Sequence, residues 1–293
     1  MLRDPAGAEE ARNVTRLLVT GGSSYLGQHL LDAADRAGYD VLYTYFNHRI
    51  TAPGMGRQLD VRDGVAVRRL VADFGPEVII HTAGSNRPAE TMDAVIRQGA
   101  ANVRAAAAAC GARLVHISTD VVFDGQQAPY SENDPPSPIH DYGRAKAAAE
   151  QEVRRYEDHV VVRTSLIYGL ERMDRGTRWI AEGLRAGKRV TLFVDQMRNP
   201  VWVQSLSHAC LELAGLEYRG ILHVAGAQRL SRAEFGLRML DWWQIEARET
   251  LSFGPCDGER WPLDCTLDIS RAGDLLQTSL PGVDDVLEQN LHK

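Results

Sequence analysis

The sequence predicts an α/β fold: a Rossmann-type, doubly wound parallel sheet with a smaller C-terminal lobe. Three observations carry that expectation. Arg16–Thr20 reads as a short buried strand that runs into the glycine turn Gly21–Gly27 and then a helix with apolar residues at 26, 30, 31 and 34. Strand-like and helix-like runs then alternate as far as residue 165, which implies parallel strands joined by crossover helices. Val78–His81 is apolar throughout apart from its last residue, as a central strand covered on both faces should be.

The elements follow in order. Val41–Tyr45 reads as the second strand, and Leu59–Asp63 as the end of another. Val65–Phe74 carries Val67, Leu70 and Val71 at helical spacing. Ala100–Ala109 is a helix whose small side chains permit close approach to the sheet. Leu114–Ile117 and Val160–Thr164 are further strands, separated by a helix that Tyr142 opens and that runs to about Tyr156. Beyond Gly169 the rhythm loosens: helices over 176–186, 205–214 and 231–243, extended segments over 189–194 and 220–224, and a polar loop at 195–203. The expected division is a flexible extension over 1–15, a dinucleotide-binding domain over 16–165, and a lobe over 166–293 partly interleaved with the sheet. That lobe would stand over the C-terminal edge of the strands, where ligands bind in open α/β sheets.

Composition narrows the class. With 44% hydrophobic and 25% charged residues the 293-residue chain is an ordinary globular protein. A net charge of -6 argues against a nucleic-acid partner, and no apolar run is long enough for a bilayer span. The N-terminus lacks an apolar signal core, and Cys110, Cys210, Cys256 and Cys265 are scattered without a C-x-x-C. Buried free thiols and a cytoplasmic location are expected. Carboxylates at 257, 259 and 264 and at 284, 285 and 288 read as solvated faces or helix caps, so no metal site is expected.

The chemistry concentrates in two places. Glycines at 21 and 27 with Ser24 between them fit T-G-x-x-G-x-x-G with its middle glycine replaced, a turn that brings backbone N–H groups and a helix N-terminus to a pyrophosphate. After the second strand, where an acidic residue would bind an adenosine 2′-hydroxyl, stand Asn47, His48 and Arg49; this basic stretch favours a 2′-phosphate, hence NADP over NAD, although a solvated loop would read the same way. Asp60 is placed either to accept from adenine or to cap a helix, and His81 reads as a satisfied strand-end histidine. The second place is the stretch from His116 to Lys146. Thr119 ends a strand, and Tyr142 and Lys146 share one helical face. Such a set can hydrogen-bond a carbonyl oxygen and protonate it, with the lysine cation lowering the phenol pKa. Singly, a Y-x-x-x-K or a Thr-Asp pair is ordinary on a solvated helix or in a turn; order and context give them weight.

LLVTGGSSYLGQHL, LDVRD, PEVIIHTAG, STDVVFDG, YGRAK, RTSLIYG and DQMRNPVWV together resemble the extended short-chain dehydrogenase/reductases, and within them the dTDP-4-dehydrorhamnose reductases. The resemblance implies reduction of a nucleotide-linked ketosugar by NADPH or NADH. It implies that Thr119 polarises the carbonyl, Tyr142 is the acid, and Lys146 holds the nicotinamide ribose. Gly21, Ser24, Tyr25, Leu26, Gly27, Asn47, His48, Arg49, Asp60, Val61, Ala83, Gly84 and Ser118 would line the cofactor, with Tyr142 and Lys146. Thr119, Asp120, Leu166, Arg198 and Asn199 would face the sugar nucleotide. Two departures matter: Leu166 stands where relatives carry a sugar-pocket tryptophan, and Val121 stands where dehydratase relatives carry a glutamate base. The alternatives are a non-catalytic subunit of a metabolic enzyme, such as the regulatory subunit of methionine adenosyltransferase, and an epimerase with tightly held NAD. Dimers are common among such folds.

Overall fold

Residues 14–84 and 89–291 are described by the computed structural model. The N-terminal extension expected at 1–15 falls almost wholly outside them. Six strands, β1 (Arg16–Thr20), β2 (Asp40–Tyr45), β3 (Met55–Gln58), β4 (Val78–His81), β5 (Arg113–Ile117) and β6 (His159–Arg163), form one parallel sheet in the order 3-2-1-4-5-6. A later strand, Gly220–His223, extends the sheet beside β6. Both β2 and β4 pair with β1, so the strand order reverses at β1 and a crevice opens beyond its C-terminal end.

Alternation along β1 builds two cores. Leu17 and Val19 point to one face, covered by α1 (Tyr25–Arg36) and the helix Val203–Gly215. Leu18 points to the other, covered by α2 (Gly64–Phe74), α4 (Gly99–Cys110) and α5 (Asp141–Val153). A short helix, α3 (Ala89–Asp93), reaches α4 through a π-helical turn at Ala94–Gln98. The alanines expected to pack closely do so: Ala100, Ala106 and Ala107 are buried against the sheet.

Two boundaries and one cysteine's burial differ from expectation. Leu59–Asp63 lies outside β3, which ends at Gln58; Asp63 instead caps α2 by accepting from Val65 and Ala66 N–H. Helix α5 stops at Val153, three residues before Tyr156. Cys110 is exposed at the last turn of α4, whereas Cys210, Cys256 and Cys265 are buried; all four are free.

The C-terminal segment also builds a lobe of its own. Val190–Phe193 pairs in parallel with Leu251–Gly254, and α6 (Arg175–Arg185) and the helix Arg232–Trp242 pack on them around Ile180, Leu184, Leu192 and Leu240. Two short pairings, Val201–Trp202 with Ile167–Tyr168 and Met197–Arg198 with Leu230–Ser231, tie the lobe to the strand ends. Among the described residues no helix is long and apolar enough to cross a membrane.

Candidate active site

The turn after β1 is built for close approach. Gly21 takes φ +72°, and a Cβ at Gly27 would lie 2.4 Å from the Gly21 carbonyl oxygen. Ser24, the residue in place of the middle glycine, caps α1: its Oγ accepts from Gly27 N–H at 3.0 Å. The turn therefore keeps its shape, with a hydroxyl presented where a glycine would present none.

A cleft of about 500 Å³ opens between this turn and the ends of β2 and β4. It brings together Gly21, Ser24, Asn47, Asp60, Val61, Ala83 and Gly84 of the expected cofactor residues. It leaves out His48 and Arg49, which are exposed beyond the end of β2. The cation that does line the cleft is Arg62, which sequence reasoning missed. Its guanidinium pairs with Asp60 at 2.6 Å and lies 5.7 Å from the centroid of the Phe46 ring, also in the cleft. Hydrogen bonds from Arg62 hold the Asp60 carboxyl below its usual range. The signal was its place two residues after Asp60 in the LDVRD run. Tyr25, Leu26 and Gly27 also lie outside the cleft: the Leu26 side chain is core, and Tyr25 Oη donates to the Arg172 carbonyl at 2.8 Å.

The second group gathers where β5 ends and α5 begins. Thr119, with extended backbone, starts a single 3₁₀ turn (Asp120–Val122); its hydroxyl lies 3.2 Å from Asp120 Oδ1. His140 caps α5, its Nδ1 accepting from Gly143 N–H at 2.9 Å, which leaves the proton of the neutral ring on Nε2. Gly143, directly after Tyr142, is required here: a Cβ would lie 2.3 Å from the Val121 carbonyl oxygen. That close approach presses the first turn of α5 against the loop carrying Thr119.

The electrostatics differ from the expectation that Lys146 lowers the Tyr142 pKa. Burial, and then the Asp120 charge, push the Tyr142 phenol up to about 12. Lys146 is buried, and its ammonium donates to the Ile117 carbonyl and lies 3.5 Å from His116 Nε2. Burial lowers it to about 8, against a smaller opposing pull from Glu150. His116 sits beside His81, ring centroids 5.1 Å apart; His81 Nδ1 meets Thr20 Oγ1 at 2.6 Å, but its buried Nε2 has no hydrogen-bond partner among the described residues, so the strand-end histidine is only half satisfied. Burial and the Lys146 charge depress both imidazoles, His81 to about 3, so both are neutral.

Several expected site residues turn out to brace the site. The Ser118 hydroxyl bonds Glu150, which holds Arg163 at 2.8 Å inside the core. Asp120 accepts from Ser165 Oγ at 2.7 Å and faces Arg198 Nε at 3.4 Å. Arg198 spends its remaining donors on the carbonyls of Met197, Pro262 and Leu263. Asn199 bonds the backbone of Leu267 in both directions. Both side chains therefore fasten the 262–267 segment beneath the site. Leu166 does face space, lining a cavity of about 320 Å³ with Tyr25 and Ser165.

The model of the RmlD substrate binding domain matches residues 15–267. The chain belongs to that family. The match runs from the glycine turn through the tyrosine helix to the fastened 262–267 segment. The chain is 30% identical to a Haloferax volcanii protein named "Probable low-salt glycan biosynthesis reductase Agl14", over 92% of this chain and 95% of that one. It is 28% identical to methionine adenosyltransferase 2 subunit beta of Rattus norvegicus, over 90% of this chain and 84% of that one. A crystal structure of a hypothetical dTDP-4-dehydrorhamnose reductase from Sulfolobus tokodaii superposes with a TM-score of 0.80 at 29% identity, over 92% and 98% of the two chains. The proteins this chain is similar to thus include one named as a reductase and others named as a subunit of another enzyme.

Proposed function

We propose that the protein is an NADPH-dependent reductase of a nucleotide-linked ketosugar. The observation that carries this reading is Tyr142 on the first turn of a helix pressed against the Thr119 loop, where burial raises the phenol pKa and so favours its protonated form. In the cleft beyond β1, the Gly21–Gly27 turn would hold the cofactor's pyrophosphate, and Asp60 and Val61 would stand by its adenine. The reduced nicotinamide supplies a hydride equivalent to the keto carbon. Thr119 donates a hydrogen bond to the keto oxygen, Tyr142 gives that oxygen a proton, and Lys146 orients the nicotinamide ribose. Val121 cannot take up a proton, so elimination of water from the sugar is not part of the reaction. NADP is read over NAD because no free carboxylate lines the cleft to accept from a ribose 2′-hydroxyl: among its lining residues the ionic side chains are Asp60 and Arg62, and Arg62 holds Asp60.

A second reading is favoured by the relatives named methionine adenosyltransferase 2 subunit beta, which match over most of their length. On it, the chain binds cofactor but acts by joining another enzyme. One experiment separates the two: NADPH oxidation by the purified protein with dTDP-4-keto-6-deoxy sugars, alongside Tyr142→Phe. Turnover that falls about 10²- to 10⁴-fold in the variant, with NADPH still bound, supports the reductase. Cofactor binding without turnover, together with stable co-purification of another enzyme, supports the subunit.

A further inference from the structure

The cavity beside Leu166 continues into a groove of about 510 Å³, the two sharing Arg175, Gly176, Ile180 and Arg232. Two features of this groove are unexplained by folding. The first is Trp261, whose large apolar ring is left 50% exposed on the loop before the fastened 262–267 segment. It meets His140 edge-on at 5.2 Å, and His140 in turn lies 6.3 Å from the Tyr142 ring. An indole is thus held beside the acid, on the same side as position 166, where this chain carries only a leucine.

The second feature is Arg232, at the start of the helix Arg232–Trp242. Its backbone N–H bonds the Gln196 carbonyl at 2.9 Å, yet among the described residues its guanidinium has no hydrogen-bond or ion-pair partner. It is partly buried in the wall of the groove, and burial together with nearby Arg198 lowers its pKa. An unpaired guanidinium lining both cavities is free to fork onto an anionic ligand there. The local charges leave room for one. Asp120 and Arg198 cancel each other, and Asp174, whose Oδ1 caps α6, offsets one of Arg175 and Arg232.

We propose that Trp261 and Arg232 are substrate-anchoring residues, the indole packing on the hexose ring and the guanidinium pairing with the diphosphate that the sugar carries. The proposal rests on the nucleotide-sugar reading of the site but not on turnover. It assigns to a C-terminal loop the aromatic wall that position 166 lacks. Sugar rings present C–H faces to an indole, and a guanidinium forks onto phosphate oxygens.

The test is direct binding by calorimetry, without catalysis, of dTDP-glucose, dTDP and inorganic pyrophosphate to the full chain. Arg232→Met should weaken all three by about 10- to 100-fold. Trp261→Leu should weaken dTDP-glucose about fivefold to tenfold and leave dTDP and pyrophosphate unchanged. NADPH affinity, unchanged in both variants, certifies the fold; if either variant loses it, Arg232→Lys and Trp261→Phe take their place, with smaller losses of the same pattern expected. Wild-type protein that binds none of the three, or variants that bind as wild type does, would overturn the proposal. The predicted pattern without any NADPH oxidation would uphold it while removing the reductase reading.

Discussion

Tyr142 and Lys146 have different tasks because their environments push them in different directions. Tyr142, raised to about 12, stays a proton donor across the working range, so its titration does not limit reduction. Lys146, lowered to about 8, is the group that changes charge near physiological pH. The cation is present below that value and is lost as pH rises through it. Because kcat/KM reports groups of the free enzyme, reduction should fall tenfold per unit above a pH of about 8. His81 and His116 are held neutral, so neither is expected to add an inflection between pH 5 and 7. A pH profile of kcat/KM for wild type and Lys146→Met checks this. A wild-type limb near 6.5, or a limb near 8 that survives in the variant, would remove Lys146 from this role. The residue types at 119, 142 and 146 were legible in the sequence. The direction of the tyrosine shift was not, because spacing on a helix says nothing about where a lysine ammonium turns or how deeply a phenol is buried.

At the scale of elements, the site is braced by an ion pair inside the core. Glu150 of α5 holds Arg163 of β6, both nearly sealed from water, and also takes the Ser118 hydroxyl at the end of β5. The Arg163 guanidinium lies 4.9 Å from the Phe123 ring centroid, carrying the brace on to the loop after Thr119. Removing one partner leaves a buried charge uncompensated, so Glu150→Ala should destabilise the fold by about 3–5 kcal/mol in urea titrations. A loss below about 1 kcal/mol would show that water reaches the pair. The strands β1, β4 and β5 were legible because parallel central strands are apolar on both faces, and the glycine turn because its spacing is a steric requirement. The edge strand Met55–Gln58 and the pairing of 190–193 with 251–254 were not. Each is short and partly exposed, and the second is defined by a partner about 60 residues away in sequence. The resemblance implied Arg198 and Asn199 at the substrate; both also bond backbone groups more than 60 residues away, which no local pattern reveals.

Across the whole molecule, the sheet's order places both chemistries at one edge. The crevice beyond β1 holds the cofactor cleft, the ends of β5 and α5 hold Thr119 and Tyr142, and the C-terminal lobe closes the far side with Leu166, Arg232 and Trp261. Strand Gly220–His223 and helix Val203–Gly215 belong to the sheet layers although they lie in the second half of the chain, so the lobe is anchored at both ends. A reductase needs both ligands to meet at that edge so that hydride can pass between them, whereas the subunit reading needs only the cofactor bound. The most direct measurement is therefore the fate of the hydride. NADPH carrying deuterium at the transferred position of nicotinamide C4 is incubated with a dTDP-4-keto-6-deoxyhexose, and the sugar product is weighed by mass spectrometry. The account predicts one deuterium on the former keto carbon with wild-type protein and only trace label with Tyr142→Phe. Bound NADPH that transfers no deuterium to the sugar would contradict it.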